Sequence, residues 1–166
     1  MYTIYSNQND YYYPYRLYPY MNTPPYHPYP YYQNRAMWSD HGPNPFVMNV
    51  AQATRQNENY RTTLWTGNYL QLTLMHLNVN EDIGLEIHRD HDQFIRIEEG
   101  EGLVMMGDES NVLTFQQPVF PGDIIMIPAG KWHNLINTGG TPLKLYSLYA
   151  PPEHAYGTIN PTKPST

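Results

Sequence analysis

The fold of this 166-residue chain is indicated most clearly by the stretch Gly122-Asp-Ile-Ile-Met-Ile-Pro-Ala-Gly-Lys-Trp-His-Asn-Leu-Ile-Asn137. Its apolar run, Ile124–Ile127, predicts a buried strand, and Pro128 and Gly130 predict a tight turn directly after it. Residues 132–138 then favour a second strand, on which His133 and every second residue after it share one face. The stretch therefore predicts strand, turn and strand, with one imidazole placed at a defined point.

Short apolar segments separated by turn-forming residues continue on both sides of this stretch. The further strand candidates are 62–65, 69–77, 83–88, 93–98, 103–106, 112–115 and 143–149. Residues 50–57 favour a short helix with Asn49 as its N-cap. Because Gly, Asn, Asp or Pro stands between nearly all the strand candidates, the chain is predicted to be an all-β sandwich or barrel.

The composition of the chain changes sharply near residue 45. Residues 1–32 hold 12 of the 17 tyrosines together with six prolines, and they contain almost no aliphatic side chains. Such a segment cannot assemble an aliphatic core. We therefore predict a disordered Tyr/Pro-rich tail over residues 1–45, a β-barrel domain over 46–156 and a C-terminal tail over 157–166.

Charge and composition also restrict the classes of partner. The net charge of −6 argues against nucleic acid as a partner, because phosphate binding requires a basic surface. No apolar run approaches the roughly 20 residues of a membrane-spanning helix, so no membrane span is expected. The chain has no cysteine, which excludes disulfides and thiolate metal ligands.

The stretch 122–137 resembles the second conserved motif of the cupin superfamily, and every position of that motif is filled. The likeness extends over roughly residues 61–156, and its phrases are similar to those of small single-domain bacterial cupins described as mannose-6-phosphate isomerase-like. It implies a double-stranded β-helix (jelly-roll) barrel, a bound metal ion and a homodimer. In that family the histidine of this motif, here His133, is a metal ligand.

The first cupin motif is present in a diverged form between Gly84 and Gly100. The family pattern is His-x-His, four residues, Glu, six residues, Gly. Counting back from Gly100 puts Gln93 in the Glu position, His88 in the second His position and Glu86 in the first. A carboxylate has thus moved to the first ligand position, and an amide has replaced it at the third.

Strand geometry supports the same register independently. Residues 86 and 88 are two apart on a strand, so both side chains leave the same face, and Gln93 begins the next strand. With His133 the predicted metal ligands are two imidazoles, one carboxylate and one amide oxygen. That set suits a divalent transition metal ion, and Fe, Mn, Ni, Co and Zn all remain open.

Two other histidines differ in how much the sequence says about them. His91 could replace Glu86 as a ligand, could transfer protons as a catalytic residue at the mouth of the site, or could be a solvated loop residue. His154 stands in a Pro-rich stretch and is given no role.

These features leave two functions open. The first is a metal-dependent enzyme, isomerase-like or dioxygenase-like, that acts on a small polar molecule such as a sugar or a carboxylic acid. The second is a non-catalytic structural or binding module whose tyrosine-rich tail contacts other proteins, since the tail is similar in composition to spore-coat proteins. A cytoplasmic location is expected for the first function and a spore-coat location for the second.

Overall fold

Ten strands and one helix form the described part of the chain, residues 39–165 of the computed structural model. The helix is α1 (Val50–Gln56), and the strands follow it in the order β1 (Arg61–Thr66), β2 (Gln71–Leu77), β3 (Glu86–Ile87), β4 (Asp92–Glu99), β5 (Gly102–Gly107), β6 (Phe115–Val119), β7 (Ile124–Ile127), β8 (Trp132–Asn137), β9 (Leu143–Ala150) and β10 (Ile159–Asn160). The all-β prediction is confirmed. No helix among these residues is long and apolar enough to cross a membrane.

The strands form two antiparallel sheets that face each other. One sheet has the order β10-β1-β2-β9-β4-β7, and the other has the order β3-β8-β5-β6. The two strands of the stretch 122–137, β7 and β8, occur where they were predicted, but they do not pair with each other. The turn at Pro128 carries the chain from one sheet to the other, which is how a jelly-roll barrel closes.

The inner faces of both sheets supply one apolar core. Along β2, Met75 and Leu77 point into the barrel, where they join Ile95 and Ile97 of β4 and Leu135 of β8. These residues are almost fully buried, and the alternation of side chains along each strand explains why they lie on the same side. The apolar core supports a more polar region of the inner faces, described below.

Helix α1 covers the outer face of the larger sheet. It begins where predicted, because the side-chain oxygen of Asn49 accepts a hydrogen bond from the backbone N–H of Gln52 at 3.0 Å. Ala53 then packs against Leu64 and Leu74, whose side chains point away from the barrel interior.

One predicted strand was wrong in position. Residues 112–115 were expected to form a strand, but the strand is β6, Phe115–Val119, and the residues just before it form a turn with a bridge between Glu109 and Val112. Pro118 lies within this strand. Because β6 is an edge strand that pairs only with β5, a residue without a backbone N–H is tolerated.

Segments on both sides of the predicted domain boundaries pack against the barrel. Asp40 is buried and accepts hydrogen bonds from the backbone N–H groups of Gly42 and Thr66, while β10 pairs with β1. Lys163 forms an ion pair with Asp82. The prediction of a disordered tail falls mostly on residues 1–38, which lie outside the described residues.

Candidate metal centre

Glu86 and His133 face each other across paired strands. Glu86 of β3 is the register partner of His133 of β8, so their side chains leave the same inner face of the smaller sheet. The Nε2 atom of His133 lies 3.4 Å from Oε1 of Glu86, and His133 is fully buried. The strand register alone therefore brings one carboxylate and one imidazole together.

His88 completes a cluster of three side chains. Its Nε2 atom lies 3.5 Å from the same oxygen of Glu86, and the rings of His88 and His133 have centroids 5.2 Å apart. These three residues are one of the groups among residues 39–165 whose donor atoms lie close enough together to hold a metal ion. Two ligands bound at about 2.1 Å to one tetrahedral ion are about 3.4 Å apart, which matches the separations seen here.

Neighbouring groups fix both imidazoles with Nε2 towards the cluster. The Nδ1 atom of His133 lies 2.9 Å from the carbonyl oxygen of Lys131, and Nδ1 of His88 lies 3.6 Å from a carboxylate oxygen of Glu153. An N–H on Nδ1 that faces such an acceptor leaves Nε2 with a free lone pair. Both Nε2 atoms are buried and have no hydrogen-bond partner.

Gln93 offers its amide oxygen to the same cluster. Its Nε2 donates to the hydroxyl oxygens of Ser147 and Tyr149, each at 3.0 Å, and Ser147 in turn donates to the carbonyl oxygen of Phe94 at 3.1 Å. With the amide nitrogen held in this way, Oε1 is buried and has no partner. Tyr149, which accepts from the Gln93 amide, also contacts the ring of His88 edge-on with centroids 5.7 Å apart, so Gln93 lies beside the cluster.

The charges of the cluster depend on each other. Burial would raise the pKa of Glu86, but the interactions with His133 and His88 outweigh it and hold this pKa at about 2. Burial would likewise lower the pKa of His88, whereas Glu86 and then Glu153 raise it above its usual value. Without a metal ion, Glu86 is therefore an ionised carboxylate that faces a readily protonated His88.

A divalent transition metal ion fits this donor set. Three buried donor atoms lack a hydrogen-bond partner, namely Nε2 of His88, Nε2 of His133 and Oε1 of Gln93. Buried polar atoms in this state are uncommon, and they indicate a bound group that satisfies them. Together with the carboxylate of Glu86 they provide two nitrogen and two oxygen ligands, which suit Fe, Mn, Ni, Co or Zn.

Comparison with known proteins agrees with this fold. The family description "Cupin domain" matches residues 73–149. The Bacillus subtilis protein YrkC is 56% identical over 133 residues, which cover 80% of this chain and 72% of YrkC. Protein L612 of Acanthamoeba polyphaga mimivirus is 42% identical over 125 residues, which cover 73% of this chain and 74% of L612. The crystal structure of BH2720 from Bacillus halodurans has a TM-score of 0.75 and 58% identity over 75% of this chain and 95% of that one.

The chain belongs to the cupin family. The resemblance of the stretch 122–137 and the jelly-roll prediction are thereby confirmed.

His91 is not a solvated loop residue in this cupin, which was one of the three alternatives that the sequence left open. It is buried, and its ring stacks on that of His88 with centroids 4.6 Å apart. Its Nδ1 lies 3.0 Å from Oδ1 of Asp90, and its Nε2 lies 3.3 Å from a carboxylate oxygen of Glu153. His88, His91 and Glu153 form a second group of possible metal ligands, which shares His88 with the first.

Sequence reasoning missed Glu153 and His154 of this cupin. The backbone N–H of His154 donates to Oε1 of Gln71 at 2.9 Å, and Nε2 of Gln71 donates to the carbonyl oxygen of His154 at 2.8 Å. This clamp holds the segment after β9 against the larger sheet and brings the His154 ring edge-on to Tyr149, with centroids 5.1 Å apart. The available signal was an acid and an imidazole directly after Pro151 and Pro152, but no strand periodicity indicated where they would lie.

Proposed function

We propose that this cupin binds one divalent transition metal ion through Glu86, His88, Gln93 and His133 and acts as a metal-dependent enzyme on a small polar molecule. The observation that supports this most strongly is the set of three buried, unpartnered donor atoms around the carboxylate of Glu86. Because an empty polar cluster of this kind would be costly to bury, a ligand that satisfies all of it at once is the simplest explanation.

The chain supplies positioning and proton transfer around this ion. A bound metal ion would act as a Lewis acid or as an activator of oxygen. The carboxylate of Glu153 lies beside Nδ1 of His88, which faces away from Glu86, and it also lies 3.3 Å from Nε2 of His91, whose ring stacks on that of His88. This pair could hold a proton that leaves or returns to a substrate, so His91 is proposed as a catalytic proton-transfer residue and not as a ligand.

The metal content of the chain with and without the substitution His133→Ala tests the proposal. The full chain is purified, reconstituted with each of the five metals and desalted, and the bound metal is measured by mass spectrometry. We expect close to one equivalent for the unaltered chain and a large loss for His133→Ala. The matched control is His76→Ala, because His76 is also buried but hydrogen bonds to the carbonyl oxygen of Asn57, outside the cluster.

The same preparations separate the possible activities. Oxygen consumption with a panel of sugars and carboxylic acids identifies a dioxygenase-like reaction, and product formation without oxygen uptake identifies an isomerase-like one. If the unaltered chain binds no metal after reconstitution, the proposal fails and the non-catalytic barrel is favoured. The homodimer and the contacts of the tail stay predictions.

A further inference from the structure

Arg61 brings a positive charge to the inner side of the barrel without an acidic partner. It is the register partner of Met75, and Met75 in turn pairs with Leu145 in the barrel core. Residues directly opposite in antiparallel strands share a face, so Arg61 also points inward. Its Nε atom is buried without a hydrogen-bond partner, and within residues 39–165 no carboxylate lies within ion-pair distance of it.

A buried guanidinium N–H without a hydrogen-bond acceptor is unfavourable unless a bound group supplies one. An arginine cannot lose its proton at any physiological pH, so it cannot escape burial by becoming neutral. A partly buried guanidinium therefore requires an acceptor, and an anion is the strongest one. The contact that the described residues do provide, with the ring of Tyr60 at 5.4 Å, leaves the Nε–H unsatisfied.

Two further unpartnered polar atoms lie on the inner side of the same sheet. Thr73 occupies the inner-face position next to Met75, within the diagonal reach of a long side chain at position 61, and its buried hydroxyl has no partner. The Nε2 atom of His154 is also buried and unpartnered. The Nε–H of Arg61, the hydroxyl of Thr73 and the Nε2 atom of His154 are thus all left without a hydrogen-bond partner.

This group of atoms adjoins the candidate metal centre. His154 packs edge-on against Tyr149, and Tyr149 contacts His88 edge-on with ring centroids 5.7 Å apart. Gln71, whose side chain clamps the backbone of His154, is two residues from Thr73 on the same inner face of β2, so His154 is anchored beside Thr73. Burial and then the positive charge of Arg61 lower the pKa of His154 to about 4.

We propose that Arg61, Thr73 and His154 form a subsite for the carboxylate group of a small organic acid, beside the metal centre. The inference rests on the proposed function and specifies its substrate as an acid and not as a neutral sugar. A divalent ion and Arg61 would carry three positive charges, while Glu86 and the partly exposed Glu153 carry two negative ones, so this part of the barrel interior favours an anion. The planar guanidinium matches the two oxygens of a carboxylate.

Ligand-observed NMR on the full chain tests this subsite. Lactate is the probe, lactamide is its neutral counterpart, and saturation transfer to the methyl protons gives the dissociation constant of each for the Zn²⁺-loaded chain. We expect lactate to bind saturably and lactamide at least about 10-fold more weakly, because a hydrogen bond to a charged group contributes about this much. Arg61→Gln should weaken lactate binding by about 10-fold to 100-fold, whereas Arg61→Lys should retain part of it.

Two control variants, Arg96→Gln and Thr63→Val, and one further subsite variant, Thr73→Val, distinguish loss of lactate binding from loss of folding. Arg96→Gln removes an arginine that is paired with Glu98, and it should leave lactate binding unchanged. Thr73→Val should weaken lactate binding and not lower the melting temperature, because the lost hydroxyl has no partner. Thr63→Val should lower the melting temperature and leave binding unchanged, since the Thr63 hydroxyl donates to the carbonyl oxygen of Thr158 at 3.3 Å.

The outcomes distinguish this inference from the proposed function. The metal content is measured on each sample, and the lactate titration is repeated on the metal-free chain. Loss of metal binding with Arg61-dependent lactate binding would defeat the proposed function alone. Four results would each overturn the carboxylate subsite. Arg61→Gln could bind lactate as tightly as the unaltered chain, or the unaltered chain could bind lactamide as tightly as lactate. It could also bind no lactate at all, or bind inorganic phosphate more tightly than lactate.

Discussion

Oε1 of Glu86 lies 3.4 Å from Nε2 of His133, and the two residues are direct register partners on β3 and β8. A carboxylate at this point takes the place that the family pattern gives to a histidine. It keeps a negative charge within the barrel even though the usual glutamate position holds the neutral Gln93. In the proposed metal site, Glu86 therefore provides the charge of the donor set.

Glu86→Gln tests the role of this charge. The substitution keeps the size of the side chain but removes the negative charge. Loss of a group that only hydrogen bonds to a ligand lowers metal affinity by up to about 100-fold, so loss of the charged ligand itself should lower it further. Competition with a fluorescent chelator measures the affinity. Glu58→Gln is the control, because that carboxylate pairs with Lys144 on the outside of the barrel. Equal affinities of Glu86→Gln and the unaltered chain would show that Glu86 is not a ligand.

Ser147→Ala tests whether the orientation of the Gln93 amide matters. Without the Ser147 hydroxyl the amide nitrogen keeps only Tyr149 as its acceptor, and rotation of the amide would turn Oε1 away from the cluster. We expect metal affinity to fall by about 10-fold, as is typical for an outer-shell partner. Thr54→Ala removes another buried hydroxyl, in α1, and should leave the affinity unchanged. An unchanged affinity for Ser147→Ala would show that the hydrogen bond to Ser147 does not orient a metal ligand.

The pH dependence of metal affinity reports the state of His88. Glu86 raises the pKa of His88, so the metal-free protein holds a proton there that the ion must displace. Below this raised pKa, affinity should increase about 10-fold per pH unit as pH rises, and it should level off above it. Glu86, with a pKa of about 2, stays ionised throughout. Calorimetry in buffers of different ionisation enthalpy should detect protons released on metal binding at acidic pH, and the absence of any release would show that His88 holds no proton in the metal-free chain.

Asp40→Asn tests the contacts that hold the start of the described chain against its end. The buried carboxylate of Asp40 accepts from the backbone N–H groups of Thr66 at 2.8 Å and of Gly157 at 3.2 Å. Replacement by the amide removes a charged acceptor and places an N–H donor among donors, so urea denaturation should show a loss of about 1–3 kcal/mol in the free energy of unfolding. Asp108→Asn, on an exposed carboxylate, should change it by less than about 0.5 kcal/mol.

The sequence predicted the parts of the site that depend on strand alternation. Glu86 and His88 could be placed together because they are two residues apart, and His133 could be placed because the turn before it is so strongly marked. The same rule predicted the inward face of β8 correctly, since His133, Leu135 and Asn137 are all fully buried.

The rest depends on contacts between distant segments. His91 follows a turn whose path no periodicity describes, so its stacking on His88 could not be foreseen. His154 reaches the barrel through the side chain of Gln71, which lies 83 residues earlier in the chain. Arg61 points inward because it is the register partner of Met75, and that pairing between strands is not visible in the sequence.

A crystal structure of the metal-loaded chain, with anomalous scattering measured at the absorption edge of the ion, would locate the metal itself. We expect one anomalous peak within about 2.0–2.3 Å of Nε2 of His88, Nε2 of His133, a carboxylate oxygen of Glu86 and Oε1 of Gln93. A peak held instead by His88, His91 and Glu153, or no peak in crystals of a chain reconstituted with metal, would contradict this expectation.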